Sequence, residues 1–326
     1  MNPINFSVSA EDSMIGCAGK LPARACEIKP ADGRYKWVCL LFMALSLVSL
    51  LMAAGCRTEG TSATGAAPVN LRMSMIPNTD PGKIVRESQP LVAYLEKETG
   101  AKIALTVPTN YAAVVEAVAN DQVDIVYLGG FTYVQASARA GVTPLVQRER
   151  DRNFHTVFIT QPDSGINTLA DLKGRTFAFG DVNSTSGHLM PSYFMRQENV
   201  GPDALAKATY TGGHDATALA VANGKVDAGA LDETIFERMT KEGKLDSSRV
   251  KVFYVTPPYF DYVWAARKGL DRKLADSFAA AMMKLSPDDP AQKSLLDLMS
   301  ADKFVKAEDG SYDRLRQAAK DAGLMK

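Results

Sequence analysis

AVANDQVDIVYL, residues 117–128, returns as AVANGKVDAGAL at residues 220–231, with seven of the twelve positions identical. Each copy reads as the end of a helix, a tight turn at Asn-Asp or Asn-Gly, and a strand that opens on Val-Asp. A joint repeated in this way divides the chain into two units of similar build. Outward from the first copy, apolar runs at residues 71–76, 102–107 and 123–128 read as strands, residues 77–82 as a loop, and residues 83–98 and 110–120 as helices. Around the second copy, residues 175–180 and 227–231 read as strands, and 188–197 and 214–223 as helices. Strands that alternate with helices predict an α/β fold of two lobes, each a mainly parallel sheet flanked by helices, with a ligand cleft between them. Lobe 1 is expected over about residues 70–159 plus 263–326, the return passing through helices at 271–285 and 291–299, and lobe 2 over about 160–262.

The first 55 residues stand apart from that pattern. WVCLLFMALSLVSLLMA, residues 37–53, carries no charge, follows Lys29, Arg34 and Lys36, and is succeeded by Ala54, Gly55 and Cys56. A basic segment, an apolar run and small residues before a cysteine describe an export signal that ends in lipidation of Cys56. Residues 57–69, rich in Gly, Ser, Thr and Ala, read as a flexible tether between a membrane anchor and the domain. The other cysteines, Cys17, Cys26 and Cys39, fall within the signal, so neither a disulfide framework nor a cysteine-based metal site is expected beyond it. No cofactor is indicated. With 37 Lys+Arg against 37 Asp+Glu and no basic run interleaved with aromatics, nucleic acid is not an expected partner.

The chemistry concentrates where strands run into helices. DVNSTSGHLMP, residues 181–191, places Ser184, Thr185, Ser186 and Gly187 at such a joint. One hydroxyl suffices to cap a helix. Three of them, beside the unpaired N–H groups of a helix N-terminus and a glycine that admits close approach, suit an oxyanion. Tyr111 opens the helix after residues 102–107, Gly130 and Phe131 follow the strand at 123–128, and His214 opens a helix behind Gly212 and Gly213. An anion beside His214 would favour its protonated ring, with binding that weakens as pH rises. Ser186 with His188 or His214 and Asp181 supplies the residue types of a hydrolytic triad, but the order of glycines is not that of a nucleophile elbow, and no enzyme is expected.

From residue 71 to about residue 269 the chain resembles the phosphate-, phosphite- and phosphonate-binding proteins of ABC importers, a branch of the two-lobed type II periplasmic binding proteins. The segments that carry the resemblance are NYAAVVE (110–116), YLGGF (127–131), NSTSG (183–187) and GHDAT (213–217). The strings LVQRE, FAFGDVNSTSGHLMP and HDATALAVANGKVDAGAL are similar also to a subgroup described as selenate-binding. The resemblance implies a small oxyanion ligand held by Tyr111, Ser184, Thr185, Ser186 and His214. It also implies acidic residues that contact an amino group, placed at Glu233 and Asp261, with Asn78, Gly130, Phe131 and Tyr259 as further lining residues. It implies an ABC permease as partner, and a monomer. A periplasmic sensor domain without a transport role is the alternative of another class.

Overall fold

The computed structural model describes residues 69–325. Cys56 and the expected export signal lie outside the described residues, and among those residues no helix is long and apolar enough to cross a membrane. The strands are β1 (Asn70–Met75), β2 (Lys102–Thr106), β3 (Ile125–Leu128), β4 (Thr143–Arg148), β5 (Thr156–Thr160), β6 (Thr176–Phe179), β7 (Lys207–Tyr210), β8 (Ala228–Asp232), β9 (Lys251–Val255), β10 (Val263–Ala266) and β11 (Phe304–Lys306). The helices are α1 (Pro81–Glu87), α2 (Gln89–Thr99), α3 (Tyr111–Ala119), α4 (Gly130–Ala140), α5 (Met190–Gln197), α6 (His214–Ala222), α7 (Glu233–Lys241), α8 (Arg272–Lys284), α9 (Pro290–Leu298) and α10 (Asp313–Asp321).

The strands form two sheets, ordered β2-β1-β3-β10-β4-β11 in lobe 1 and β7-β6-β8-β5-β9 in lobe 2. Parallel pairing is confined to β2-β1-β3 and β7-β6-β8; every pairing of β5, β10 and β11 is antiparallel, so both sheets are mixed rather than mainly parallel. The cause is the route of the chain. Having built half of one lobe it crosses to the other, and β5 and β10, the first strands after each crossing, enter their sheets against the local direction. The first crossing occupies residues 149–155, earlier than the boundary near 159 expected above, because β5 already pairs with β8 and β9. α8 packs against α2, β4 and β11, and α10 against α4, so the C-terminal segment completes lobe 1.

The repeated joint has a shared hydrogen-bonding cause. Asp124 Oδ2 accepts the main-chain N–H of Arg72, at β1, at 2.8 Å, and Asp227 Oδ2 accepts that of Thr176, at β6, at 2.7 Å. In each lobe the aspartate of Val-Asp thus ties its strand to the neighbouring parallel one. Asp124 also binds the Arg72 and Arg267 guanidiniums, which hold its carboxyl at about 2 against the cost of burial.

One helix differs from its sequence reading. Residues 83–98 do not form one helix: α1 begins earlier, with Asp80 accepting from the Lys83 N–H at 2.6 Å, and ends at Glu87. Pro90 explains the break, since it lacks an N–H and its ring disfavours helix continuing through the preceding turn.

Candidate functional site

Five chain turns meet at the C-terminal ends of the strands, where open α/β sheets present helix N-termini to a ligand. Lobe 1 contributes the starts of α3 and α4. Lobe 2 contributes the turn before α5 and the starts of α6 and α7. Tyr111, Phe131, Ser184, Thr185, Ser186, His214, Asp232, Tyr259, Asp261 and Tyr262 are all buried there, so the lobes are closed upon one another.

The Ser-Thr-Ser-Gly stretch forms one π-helical turn, Thr185–Leu189, that leads into α5. Ser184 caps it: its hydroxyl accepts the Gly187 N–H at 3.0 Å and its carbonyl accepts the Leu189 N–H at 3.0 Å. As the first residues of the turn, Thr185 and Ser186 have amides without an acceptor from the helix itself. Gly187 is required by packing. A Cβ there would lie 3.0 Å from His214 Cε1, 3.0 Å from Ser184 Oγ and 3.1 Å from Gly180 Cα, so the imidazole rests directly on the turn.

His214 is the pivotal side chain. Its Nδ1 accepts the main-chain N–H of Asp232 at 3.3 Å, which places the proton of the neutral ring on Nε2. That Nε2 is buried and has no partner in the protein. Burial pushes the imidazole pKa below its ordinary value, against the pull of Asp232, Asp215 and Asp181. Burial thus favours a neutral ring that offers one N–H, while the protonated ring expected from the sequence depends on a bound anion. The triad geometry is absent too, since His188 donates from Nδ1 to the Val182 carbonyl at 2.7 Å and meets the Tyr210 hydroxyl at 3.1 Å.

Tyr111 is buried beside Ser184, with its phenol held well above its ordinary pKa by burial and then by Asp181 and Asp232. Its main-chain N–H reaches Asp181 Oδ2, in lobe 2, at 3.4 Å. Tyr259 hydrogen-bonds the Thr156 hydroxyl at 2.7 Å, and Thr156 in turn donates to the Ser186 carbonyl at 3.0 Å, which props the turn from behind.

The remaining candidates have other engagements. Gly130 N–H donates to Asp261 Oδ1 at 2.8 Å and Phe131 N–H to Thr185 Oγ1 at 3.0 Å, so the start of α4 is filled by the protein. Asp261 is buried, and burial pushes its carboxyl up to about 8, opposed by the bonds from Gly130 and Thr185. Glu233 is turned to the first crossing: its Oε1 accepts the His155 N–H at 3.3 Å and lies 3.9 Å from Arg150, with 15% of the side chain exposed. Asn78 donates from Nδ2 to the Tyr262 hydroxyl at 3.2 Å, and its carbonyl accepts the His214 N–H at 3.1 Å.

Two residues escaped the sequence reading. Asp232 caps α7 through Oδ1, accepting from the Thr234 and Ile235 amides at 2.6 and 3.0 Å, while Oδ2 accepts the Tyr262 hydroxyl at 2.7 Å. A signal for it existed, an Asp at a strand end two residues before a Thr, which is an N-cap pattern. Tyr262 stacks on Tyr127 at 5.2 Å, and the Arg148 guanidinium lies 4.8 Å from its ring. That guanidinium is paired with the buried Asp151 at 2.5 and 2.8 Å, so its charge is already balanced.

Residues 73–312 match the family model of the periplasmic substrate-binding proteins of phosphonate ABC transporters. The chain belongs to that family. The phosphonate-type binding protein is 30% identical over 263 residues to a probable ABC transporter phosphite-binding protein of Prochlorococcus marinus, covering 77% of this chain and 89% of the relative. It is 32% identical over 244 residues to a phosphate-import protein of Mycolicibacterium smegmatis, covering 69% and 76%. The structure of a Prochlorococcus marinus family member in complex with methylphosphonate superposes with a TM-score of 0.76 at 29% identity, covering 79% of this chain and all of that one. The family is one of substrate-binding proteins of ABC transporters, not of enzymes.

Proposed function

We propose that this binding protein captures a small phosphorus oxyanion without an amino group, of the phosphite or methylphosphonate type, and hands it to an ABC permease while anchored to the membrane through lipidated Cys56. The observation that carries this reading is the buried, unpartnered Nε2–H of His214, packed on a turn whose first amides are free. Together they supply converging neutral donors, which suits an anion desolvated in a closed cleft.

The exclusion of an amino group rests on the acids. An ammonium needs a carboxylate with lone pairs to spare. Both oxygens of Asp232 are occupied, Asp261 is bonded by the Gly130 amide with its carboxyl pushed up to about 8 by burial, and Glu233 is turned to the crossing. The relatives named for phosphite and the family structure holding methylphosphonate support the same class.

Calorimetry with phosphite, methylphosphonate, phosphate, 2-aminoethylphosphonate, sulfate and selenate tests the reading. Phosphite or methylphosphonate should bind at least about tenfold tighter than 2-aminoethylphosphonate, a difference of about 1.4 kcal/mol. A preference for 2-aminoethylphosphonate would reject the amino-free class, and a preference for selenate would reject phosphorus. The anchor has its own test: Cys56→Ser should accumulate as an unprocessed, unlipidated precursor, and normal processing of that variant would count against lipidation.

A further inference from the structure

Four hydrogen bonds form a closed circuit across the cleft. Tyr262 hydroxyl donates to Asp232 Oδ2 at 2.7 Å; the Asp232 main-chain N–H donates to His214 Nδ1 at 3.3 Å; the His214 main-chain N–H donates to the Asn78 carbonyl at 3.1 Å; and Asn78 Nδ2 donates to the Tyr262 hydroxyl at 3.2 Å. Asn78 and Tyr262 flank strands of lobe 1, while His214 and Asp232 belong to lobe 2. Two of the four bonds therefore cross between the lobes and two lie within a lobe.

The structure assigns Asn78, Tyr262 and Asp232 as positioning residues that couple the ligand-facing His214 to closure of the cleft. Each bond depends on the next. The Tyr262 oxygen uses its proton on Asp232 and a lone pair on Asn78, so it fixes the side chain whose backbone holds the closing bond to His214. Asp232 spends Oδ1 on α7, which fixes its own N–H against the imidazole and the imidazole proton on Nε2. When the lobes part, both crossing bonds break and the circuit opens. His214 then loses the main-chain tether that seats it under the ligand. Sequence-distant residues of both lobes thus set the direction of one N–H.

The inference rests on the oxyanion reading for the role of His214, and the experiment separates the two. His214 is the first residue of α6, so its amide has no acceptor within the helix, and its protection from hydrogen exchange reports the bond to Asn78. Tyr262→Phe removes the hydroxyl while keeping the ring that stacks on Tyr127 and meets Arg148. In the ligand-free protein the variant should exchange the His214 amide about tenfold faster or more, with the Val221 amide in the last turn of α6 unchanged. With methylphosphonate as probe, its dissociation rate should rise by a similar factor. A His214 amide that is unprotected in wild type, or that exchanges equally in both proteins, overturns the coupling. Faster exchange at His214 and Val221 together also overturns it, by showing a general loss of stability. A wild type that binds neither phosphite nor methylphosphonate, yet shows the selective change at His214, rejects the oxyanion reading and leaves the circuit standing.

Discussion

The main-chain N–H of Phe131 donates to the hydroxyl of Thr185 at 3.0 Å, although one opens a helix of lobe 1 and the other a turn of lobe 2. That hydroxyl also faces the Asp261 carboxyl. Thr185 is therefore a clasp between lobes as well as a wall of the cleft. Its neighbour Ser184 also reaches the opposite lobe, through the Tyr111 phenol.

Thr185→Val leaves the Phe131 N–H buried and unpaired, which costs about 1–3 kcal/mol. Affinity for methylphosphonate should fall roughly five- to 150-fold, the range that cost implies. Thr185→Ser restores the oxygen and should stay within about threefold of wild type. Calorimetry on both decides it, and a loss in Thr185→Ser as large as that in Thr185→Val would show that the oxygen does not decide affinity.

His214 should remain neutral in the folded protein below pH 6.5, its ordinary value, because burial lowers its pKa. The unfolded chain binds a proton there first, so this residue costs stability as pH falls through 6.5 and contributes none of that cost above it. Nitrogen-15 spectra of the ring between pH 6.5 and 8 should show a proton on Nε2 and an acceptor at Nδ1. A ring that titrates at or above 6.5 would contradict the assigned geometry.

Asp261 predicts the opposite slope. Its carboxyl is raised from 3.8 to about 8, so between those values the folded state holds a proton that the unfolded state has lost. Stability from this group is present at low pH, declines as pH rises, and levels off above about 8. Asp261→Asn keeps an acceptor for the Gly130 N–H and removes the titration. Relative to wild type it should gain more than about 1 kcal/mol on going from pH 5 to pH 8.5, one pKa unit being about 1.4 kcal/mol. Parallel melting curves at the two pH values would show that the carboxyl ionises normally.

Gly130 should prove a packing residue rather than a ligand contact. A Cβ there would stand 2.4 Å from Leu315 Cδ1 and 3.1 Å from the Phe260 carbonyl. Gly130→Ala should destabilise by about 1–3 kcal/mol through overpacking. Adding Leu315→Ala should recover part of that loss at the expense of a cavity. Additive losses in the double variant would mean that Leu315 moves aside without cost.

Local signals carried much of this architecture. Asn110 caps α3 and Ser184 caps the π-helical turn, as hydroxyl and amide side chains at strand-to-helix joints predict. The Val-Asp joints marked the two lobes because each aspartate serves its own neighbouring strand. What stayed illegible depends on partners far along the chain. Nothing local in β5 or β10 gives their antiparallel pairing. Asp232 and Tyr262 gain their roles from each other, 30 residues apart, and from Asn78, 184 residues from Tyr262. The family resemblance places Glu233 in the cleft, yet Asp232 takes the capping position before it and Glu233 accepts the His155 N–H instead.

Phe154 and Tyr259 exchange both of their main-chain bonds, at 2.9 and 3.0 Å, and the Asp261 N–H donates to the Asp151 carbonyl at 3.0 Å. The two crossings are thereby stitched into one short ribbon, which flexes as a strip instead of as two independent cords. A strip confines motion to bending and twisting about a single line. Dyes on the exposed Lys97 and Lys225, one on each lobe, would convert that rotation into an optical signal, while a pair on Lys97 and Lys268 within lobe 1 would stay silent. The connection thus makes the molecule a candidate chassis for a reagentless sensor whose internal reference is built into the same chain.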